Sequence, residues 1–208
     1  MFKKFLIIIS SIFLLLSCNL QQEKKELNSK NIIPKSIESP FFGNREAKIQ
    51  LVIFSDFECP ACIMFEKVIW DKLITDYVNT NKIGLTFKNF PLSYHQNALY
   101  DAHASLCAHA GNKFLEFFKE IYALEEQKSG ETVLDEEREQ IATKVGLNLL
   151  NFQKCMNEGN YIGKIQEDIK LGESMGLNGT PSIYANGKLL KFSSYEQFFQ
   201  ILDQLIKN

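Results

Sequence analysis

The chain has 208 residues, 45% of them hydrophobic and 17 of them phenylalanine, which is enough apolar mass for one packed domain with room for an insertion. A formal net charge of −2 leaves no basic footprint, so nucleic acid is not an expected partner.

The first element is the apolar run Phe5 to Leu16, behind Lys3 and Lys4. Twelve residues rise about 18 Å as a helix, well short of the roughly 30 Å hydrocarbon core, so this is not a spanning segment. A basic start, a short apolar stretch and a small residue at its end describe a secretory signal peptide over residues 1–17. The stretch ends Leu15-Leu16-Ser17-Cys18, which resembles a bacterial lipobox. The resemblance implies that Cys18 becomes the lipid-modified first residue of the mature chain; an ordinary cleaved signal with an incidental cysteine is the competing reading. Residues 18–39 are polar and charged (QQEKKELNSKN) and read as a flexible tether, with the folded domain over 40–208. Export changes how the cysteines are counted. Five is odd, but assigning Cys18 to lipid leaves Cys59, Cys62, Cys107 and Cys155, an even number that suggests two pairs in an oxidising compartment.

Lys48 to Phe54 (KIQLVIF) suits a buried strand. A helical pattern follows from Pro60 to about Val78, with Phe65, Ile69, Leu73 and Tyr77 on one stripe. After the Asn79-Thr80-Asn81 turn, Ile83, Leu85 and Phe87 alternate as a second strand, so the three elements make a βαβ unit with a parallel pair. From about Tyr94 to Met175 strand signals vanish. Helices are expected over 97–110, around Phe114 to Tyr122, over 135–145, after a cap at Asn148, and over 161–175, several of them stopped by glycine. Ser182 to Ala185 and Lys188 to Phe192 flank Asn186-Gly187, a strong hairpin signal. Ser193 and Glu196 then fit a capping box for a last helix, Ser194 to Ile206. The fold class is α/β: βαβ, a helical insertion over about 94–175, then ββα.

Chemistry concentrates at Cys59-Pro60-Ala61-Cys62. Cys59 lies where strand gives way to helix, with Pro60 suited to the first helical position. Unpaired N–H groups and the positive end of the helix dipole favour a thiolate there, so the Cys59 pKa is expected below its usual value. Cys59 is then the attacking thiol and Cys62, one turn further in, the resolving one. A zinc site would need more ligands. His103 and His109 offer an H-x5-H spacing, but some 40 residues separate Cys62 from His103, far more than zinc-finger spacing allows. The three histidines, His95 included, read as surface or packed helix residues, and no metal is expected. A purely structural disulfide closing so small a loop would remove little chain entropy. A redox pair is the reading that remains.

FSDFECPAC, followed much later by GLNGTPS (Gly176 to Ser182), resembles the thioredoxin-fold thiol–disulfide oxidoreductases, specifically the DsbA-like group. The similarity spans roughly Pro40 to Asn208 and includes HASLCAHAGNKFLEFFKEIY. It implies a thioredoxin-like fold with an inserted helical subdomain. It also implies a cis Thr180-Pro181 peptide facing the cysteines, as a loop that presents backbone to an extended substrate. Pro60 and Ala61 would support the active site, and their dipeptide lacks the histidine of the most oxidising relatives, which implies an oxidase with less driving force or a more reducing protein. Cys107 and Cys155, each in a helix of the insertion, are read as a second, structural disulfide; two buried free thiols are the alternative. The implied activity is exchange of disulfides in other proteins, with no cofactor, on the periplasmic side of a bacterial membrane, and with a membrane redox partner that resets the pair. Two further readings stay open: a DsbC- or DsbG-like isomerase or reductase, and a lipid-anchored binding or chaperone-like protein that keeps the fold without the chemistry. The former relatives dimerise through an extra N-terminal domain that residues 19–40 are too short to supply, so a monomer is expected. One departure stands out. Related enzymes often place a carboxylate six residues before the attacking cysteine, and that position here is Ile53. Asp56 or Glu58 is a possible substitute, with a surface role as the competing reading, and the acceptor for the Cys62 proton is left open.

Overall fold

Two β-branched and aromatic runs, IQLVIFS and IGLTFKN, carry apolar side chains for both faces and pair in parallel at the centre of one mixed sheet. The structure, a computed structural model, describes residues 36–207. The expected signal peptide, Cys18 and most of the expected tether lie outside the described residues. Among those described, the strands are β1 (Phe41–Gly43), β2 (Ile49–Ser55), β3 (Ile83–Asn89), β4 (Ser182–Ala185) and β5 (Lys188–Leu189), in the order β1-β3-β2-β4-β5. Only the β2–β3 pair is parallel. β1 has no alternating pattern to announce it and exists by pairing with β3. The expected strand to Phe192 stops at Leu189, because the Phe192 ring turns inward to pack on Phe198 at 5.1 Å between centroids.

The helix α1 spans residues 60–78 as α-helical Pro60–Phe65 and Asp71–Leu73 interleaved with π-helical Glu66–Trp70 and Ile74–Val78. Its buried stripe, Phe65, Ile69, Leu73 and Tyr77, steps by four residues. A pure α-helix rotates that stripe by about 40° per step. The π turns hold more residues each and keep the stripe on one side. The helices that follow are α2 (Ala98–Ala110), α3 (Phe114–Lys128), α4 (Asp135–Lys144), α5 (Leu149–Glu158), α6 (Ile162–Ser174) and α7 (Tyr195–Lys207). Asn148 caps α5, its side chain accepting the Asn151 N–H at 3.0 Å. At α7 the expected cap is shifted by one residue. Ser194 Oγ accepts the Gln197 N–H, and the Gln197 side chain accepts the Ser193 N–H at 2.6 Å. Gln197 is the residue that stands three after the capping serine.

Each face of the sheet has its own core. On one, Phe87 meets Trp70 of α1 and Phe114 and Phe118 of α3, with Trp70 and Phe118 rings 4.2 Å apart. On the other, Phe54 and Tyr184 pack with Phe90, Ile169 and Leu177. Asp168 of α6 ties that helix to β3 by accepting from the Lys88 ammonium and the Asn89 N–H. The end of β2 is thereby held from both sides, and the next four residues lead into α1.

Candidate active site

The turn from β2 into α1 is built around two carboxylates. Asp56 Oδ1 accepts the Glu58 N–H at 2.9 Å, a tight Asx turn. Its Oδ2 accepts the Leu92 N–H at 2.7 Å and bonds His95 Nδ1 at 2.8 Å. Glu58 Oε2 accepts the N–H groups of Asn97 and Ala98 at 2.6 and 3.1 Å, and so caps α2 from a distant part of the chain. Both acids are buried, which corrects the surface reading of Asp56 and Glu58. His95 is likewise neither free surface nor helix: it sits in the loop before α2, pinned to Asp56.

Cys59 occupies the N-cap position of α1 with extended backbone (φ −71°, ψ 121°), and Pro60 is the first helical residue. Both cysteines are reduced and buried. The Cys59 pKa is lowered from its ordinary 9.0 to about 5. The largest cause is the Cys62 thiol, which donates to the Cys59 sulfur. The Thr180 hydroxyl and the Cys62 and Ala61 N–H groups add to it, and burial opposes. Ala61 therefore contributes through its backbone. At neutral pH such a thiol is mostly thiolate.

Cys62 is the opposite case. Burial, first, and the neighbouring Cys59 charge push its pKa well above the ordinary value, so it keeps its proton at neutral pH. The Ser55 and Thr180 hydroxyls act in the other direction. Ile53, which stands where a carboxylate was sought, lies in the sheet core opposite Phe87 and Ile183. The polar groups beneath Cys62 are instead hydroxyls: Ser55 Oγ and Tyr122 Oη lie 2.7 Å apart, both buried.

The Thr180-Pro181 peptide is cis. It brings the Thr180 carbonyl to the Cys59 sulfur, which donates to it at 3.4 Å when protonated. Thr180 Oγ1 is buried beside the same sulfurs. Cys107 and Cys155 are joined as a disulfide linking α2 to α5. His103 lies against that bridge rather than near Cys59 and Cys62. Burial pushes its pKa down to about 4, and its ring bonds the Cys155 carbonyl. The spacing-based pairing of His103 and His109 with the redox cysteines thus finds no shared ligand cluster among the described residues.

Beside the pair opens a cleft of about 410 Å³ lined by Pro60, Ile63, Met64, His95, Glu125 and Ser129, among others. Glu125 is almost fully buried, and with it Asp101 and Arg138. Arg138 Nε donates to Asp101 at 2.8 Å. Burial, then the Asp101 carboxylate, push the Glu125 pKa up to about 9, so Glu125 keeps its proton at neutral pH. A thiolate next to a protonated thiol, at a helix start with a cleft beside it, is equipped for thiol–disulfide exchange. Sequence reasoning missed Ser55, Tyr122 and His95 as parts of the site, and named Asp56 and Glu58 only as substitutes for the absent carboxylate, not as the acids that hold the turn. Only the Asx turn of Asp56 had a local signal.

A thioredoxin family model matches residues 35–204. The probable disulfide bond formation protein D of Bacillus anthracis is 24% identical over 168 residues, 79% of this chain and 77% of that relative. Disulfide bond formation protein D of Bacillus subtilis is 22% identical over 174 residues, 81% of this chain and 77% of that one. Among solved structures, oxidised BdbD from Bacillus subtilis superposes with a TM-score of 0.73 at 20% identity, covering 82% of this chain and 94% of that one. DsbA from Chlamydia trachomatis gives 0.70 at 19% identity, covering 84% and 94%. These likenesses establish the thioredoxin-like fold with a helical insertion. With the family match extending over most of its length, this chain belongs to the thioredoxin family.

Proposed function

We propose that the protein is an exported thiol–disulfide oxidoreductase that forms or exchanges disulfides in other proteins through Cys59 and Cys62, as its disulfide-bond-formation relatives are named to do. In the oxidising direction a substrate thiolate attacks the Cys59–Cys62 disulfide at Cys59, and Cys62 leaves. A second substrate thiol then attacks the substrate sulfur of the mixed disulfide, and Cys59 leaves as a thiolate. The observation that carries this reading is the placement of Cys59 at the N-cap of α1, one turn before Cys62 and 3.4 Å from the Thr180 carbonyl: a thiolate stabilised there is a good leaving group and favours the reduced enzyme. The cleft lined by Pro60, Ile63 and Met64 on one side of Cys59, and the Thr180 carbonyl at its sulfur, suit an extended peptide. Thr180 and Pro181 serve as the substrate-facing loop, and the Cys107–Cys155 bridge as a structural staple of the insertion.

Residues 1–17 act as signal peptide, Cys18 takes the lipid, and residues 18–39 tether a monomeric domain to the periplasmic side of the membrane, where a membrane partner reoxidises the pair. Among the described residues no helix is long and apolar enough to cross a membrane. The test is oxidative refolding of a reduced, unfolded multi-disulfide protein by stoichiometric oxidised enzyme, together with the equilibrium of the pair against glutathione. Activity that is lost in Cys59→Ser, with a potential more oxidising than glutathione, supports the proposal. Refolding unaffected by Cys59→Ser points to a binding protein, and a strongly reducing potential points to a reductase.

A further inference from the structure

The resolving thiol poses a problem that the fold solves without a carboxylate. Cys62 is 1% exposed, and once Cys59 is tied up in a mixed disulfide its charge no longer keeps the neighbour protonated. Cys62 must then give up its proton in a buried place. The acids on the preceding turn are committed: both oxygens of Asp56 and the Oε2 of Glu58 accept backbone or imidazole hydrogen bonds. Ile53 and the sheet around it are apolar. The groups that act most on Cys62 are Cys59 on its own turn and the hydroxyls of Ser55 at the end of β2 and Thr180 before β4, while Tyr122 from α3 faces Cys62, Cys59 and the Asp56 carboxylate.

We propose that Ser55 and Tyr122 form a two-hydroxyl relay that activates Cys62: Ser55 solvates the Cys62 thiolate, and Tyr122 positions Ser55 to do so. The inference rests on the thiol–disulfide exchange reading above. The Tyr122 ring is wedged between Phe57 and Phe118, at 4.7 and 4.8 Å between centroids, which fixes where its hydroxyl points. That hydroxyl is 2.7 Å from Ser55 Oγ. Burial holds the phenol well above its ordinary pKa, so Tyr122 remains a donor. If Tyr122 donates to Ser55, the Ser55 proton is free to turn to the sulfur, and the hydrogen bonds of the chain all run toward Cys62. In the resolving step Cys62 Sγ attacks Cys59 Sγ, and the Cys59–Cys62 bond forms as the bond from Cys59 to the substrate sulfur breaks. That sulfur leaves with the electron pair as a thiolate, and the Cys62 proton passes to the leaving thiolate or to water. The enzyme pair is oxidised and the substrate disulfide reduced. The oxidising direction is the same step in reverse, with Ser55 stabilising Cys62 as leaving group.

The test uses reduced protein and an aromatic disulfide, 5,5′-dithiobis(2-nitrobenzoate), in stopped flow between pH 5 and 9. The first equivalent of coloured thiolate reports attack by Cys59; the second reports resolution by Cys62. For Ser55→Ala the second phase should slow about tenfold at pH 7, the effect of one lost hydrogen bond to a charged sulfur, with the midpoint of its pH profile moved upward. Tyr122→Phe, which keeps the ring packing, should shift the profile the same way by less, and Ser55→Thr should restore it. The first phase should stay within about twofold of wild type in all three. A second phase with an unshifted pH profile in both Ser55→Ala and Tyr122→Phe overturns the relay while leaving the exchange reading intact. A missing first phase in the wild type overturns the exchange reading itself. Should Ser55→Ala not fold, Tyr122→Phe and Ser55→Thr decide on the same profile.

Discussion

The thiolate at Cys59 links acidity to stability. Its pKa is depressed from 9.0 to about 5 in the folded, reduced protein, so its contribution is complete above pH 9 and is lost as pH falls through 5. Within that window each pH unit is worth about 1.4 kcal/mol, which makes the loss between pH 7 and pH 4 about 3 kcal/mol. Cys62 contributes nothing over this range, because its pKa is raised and it stays protonated in both states. The oxidised protein has no thiolate and shares every other titrating group, so it is the reference. We expect denaturant unfolding of the two forms, side by side from pH 4 to 7, to show the reduced form gaining about 3 kcal/mol on the oxidised one as pH rises. The same free energy makes the pair about 60 mV more oxidising at pH 7 than it would be with an ordinary thiol. Two stability curves that run parallel across this range would refute the reasoning, and with it the account of how the helix start, the Cys62 thiol and Thr180 hold the charge.

Two further perturbations have definite signs. Glu125 has a raised pKa, so the contribution of its protonated carboxyl is complete below about 4.5 and fades as pH rises toward 9. Glu125→Gln supplies the donor to Asp101 without a titration, and should stabilise the protein at pH 7.5 by about 2 kcal/mol, with the gain vanishing near pH 5 in the same unfolding assay. The Cys107–Cys155 bridge closes a loop of 48 residues, and replacing both cysteines by alanine should cost about 4 kcal/mol of stability by loop-entropy reasoning. Attack of Cys59 on a disulfide probe should be unchanged in that double variant, since the bridge lies apart from the redox pair.

The order of elements was legible in the sequence because it is written in local periodicities. The buried run ending at Ser55, the alternation of Ile83, Leu85 and Phe87, and the Asn186-Gly187 turn each depend on neighbours a few residues away. What escaped depends on distant partners. Phe41–Gly43 is a strand only because β3 offers an edge, and β5 is short only because Phe192 finds the Phe198 ring. The site divides the same way. Cys59 and Cys62 could be placed at a strand-to-helix junction because Pro60 and the preceding apolar run sit beside them. Thr180-Pro181 came from family resemblance rather than from pattern. The hydroxyl pair of Ser55 and Tyr122 spans 67 residues, the Asp56–His95 contact 39, and the Glu58 bond to Ala98 40, and no spacing rule connects them. Acidic residues next to an exposed-looking motif read as surface, yet here burial is earned by backbone N–H donors that only the tertiary fold delivers.

The measurement that tests the central claim most directly is trapping of the exchange intermediate. Cys62→Ser and Cys59→Ser proteins would each be reduced, mixed at pH 6 with a disulfide-containing protein substrate, quenched with acid and mapped by mass spectrometry. The account predicts a stable mixed disulfide through Cys59 in the first variant and little reaction at Cys62 in the second. Equal trapping at both positions, or none at Cys59, would contradict it.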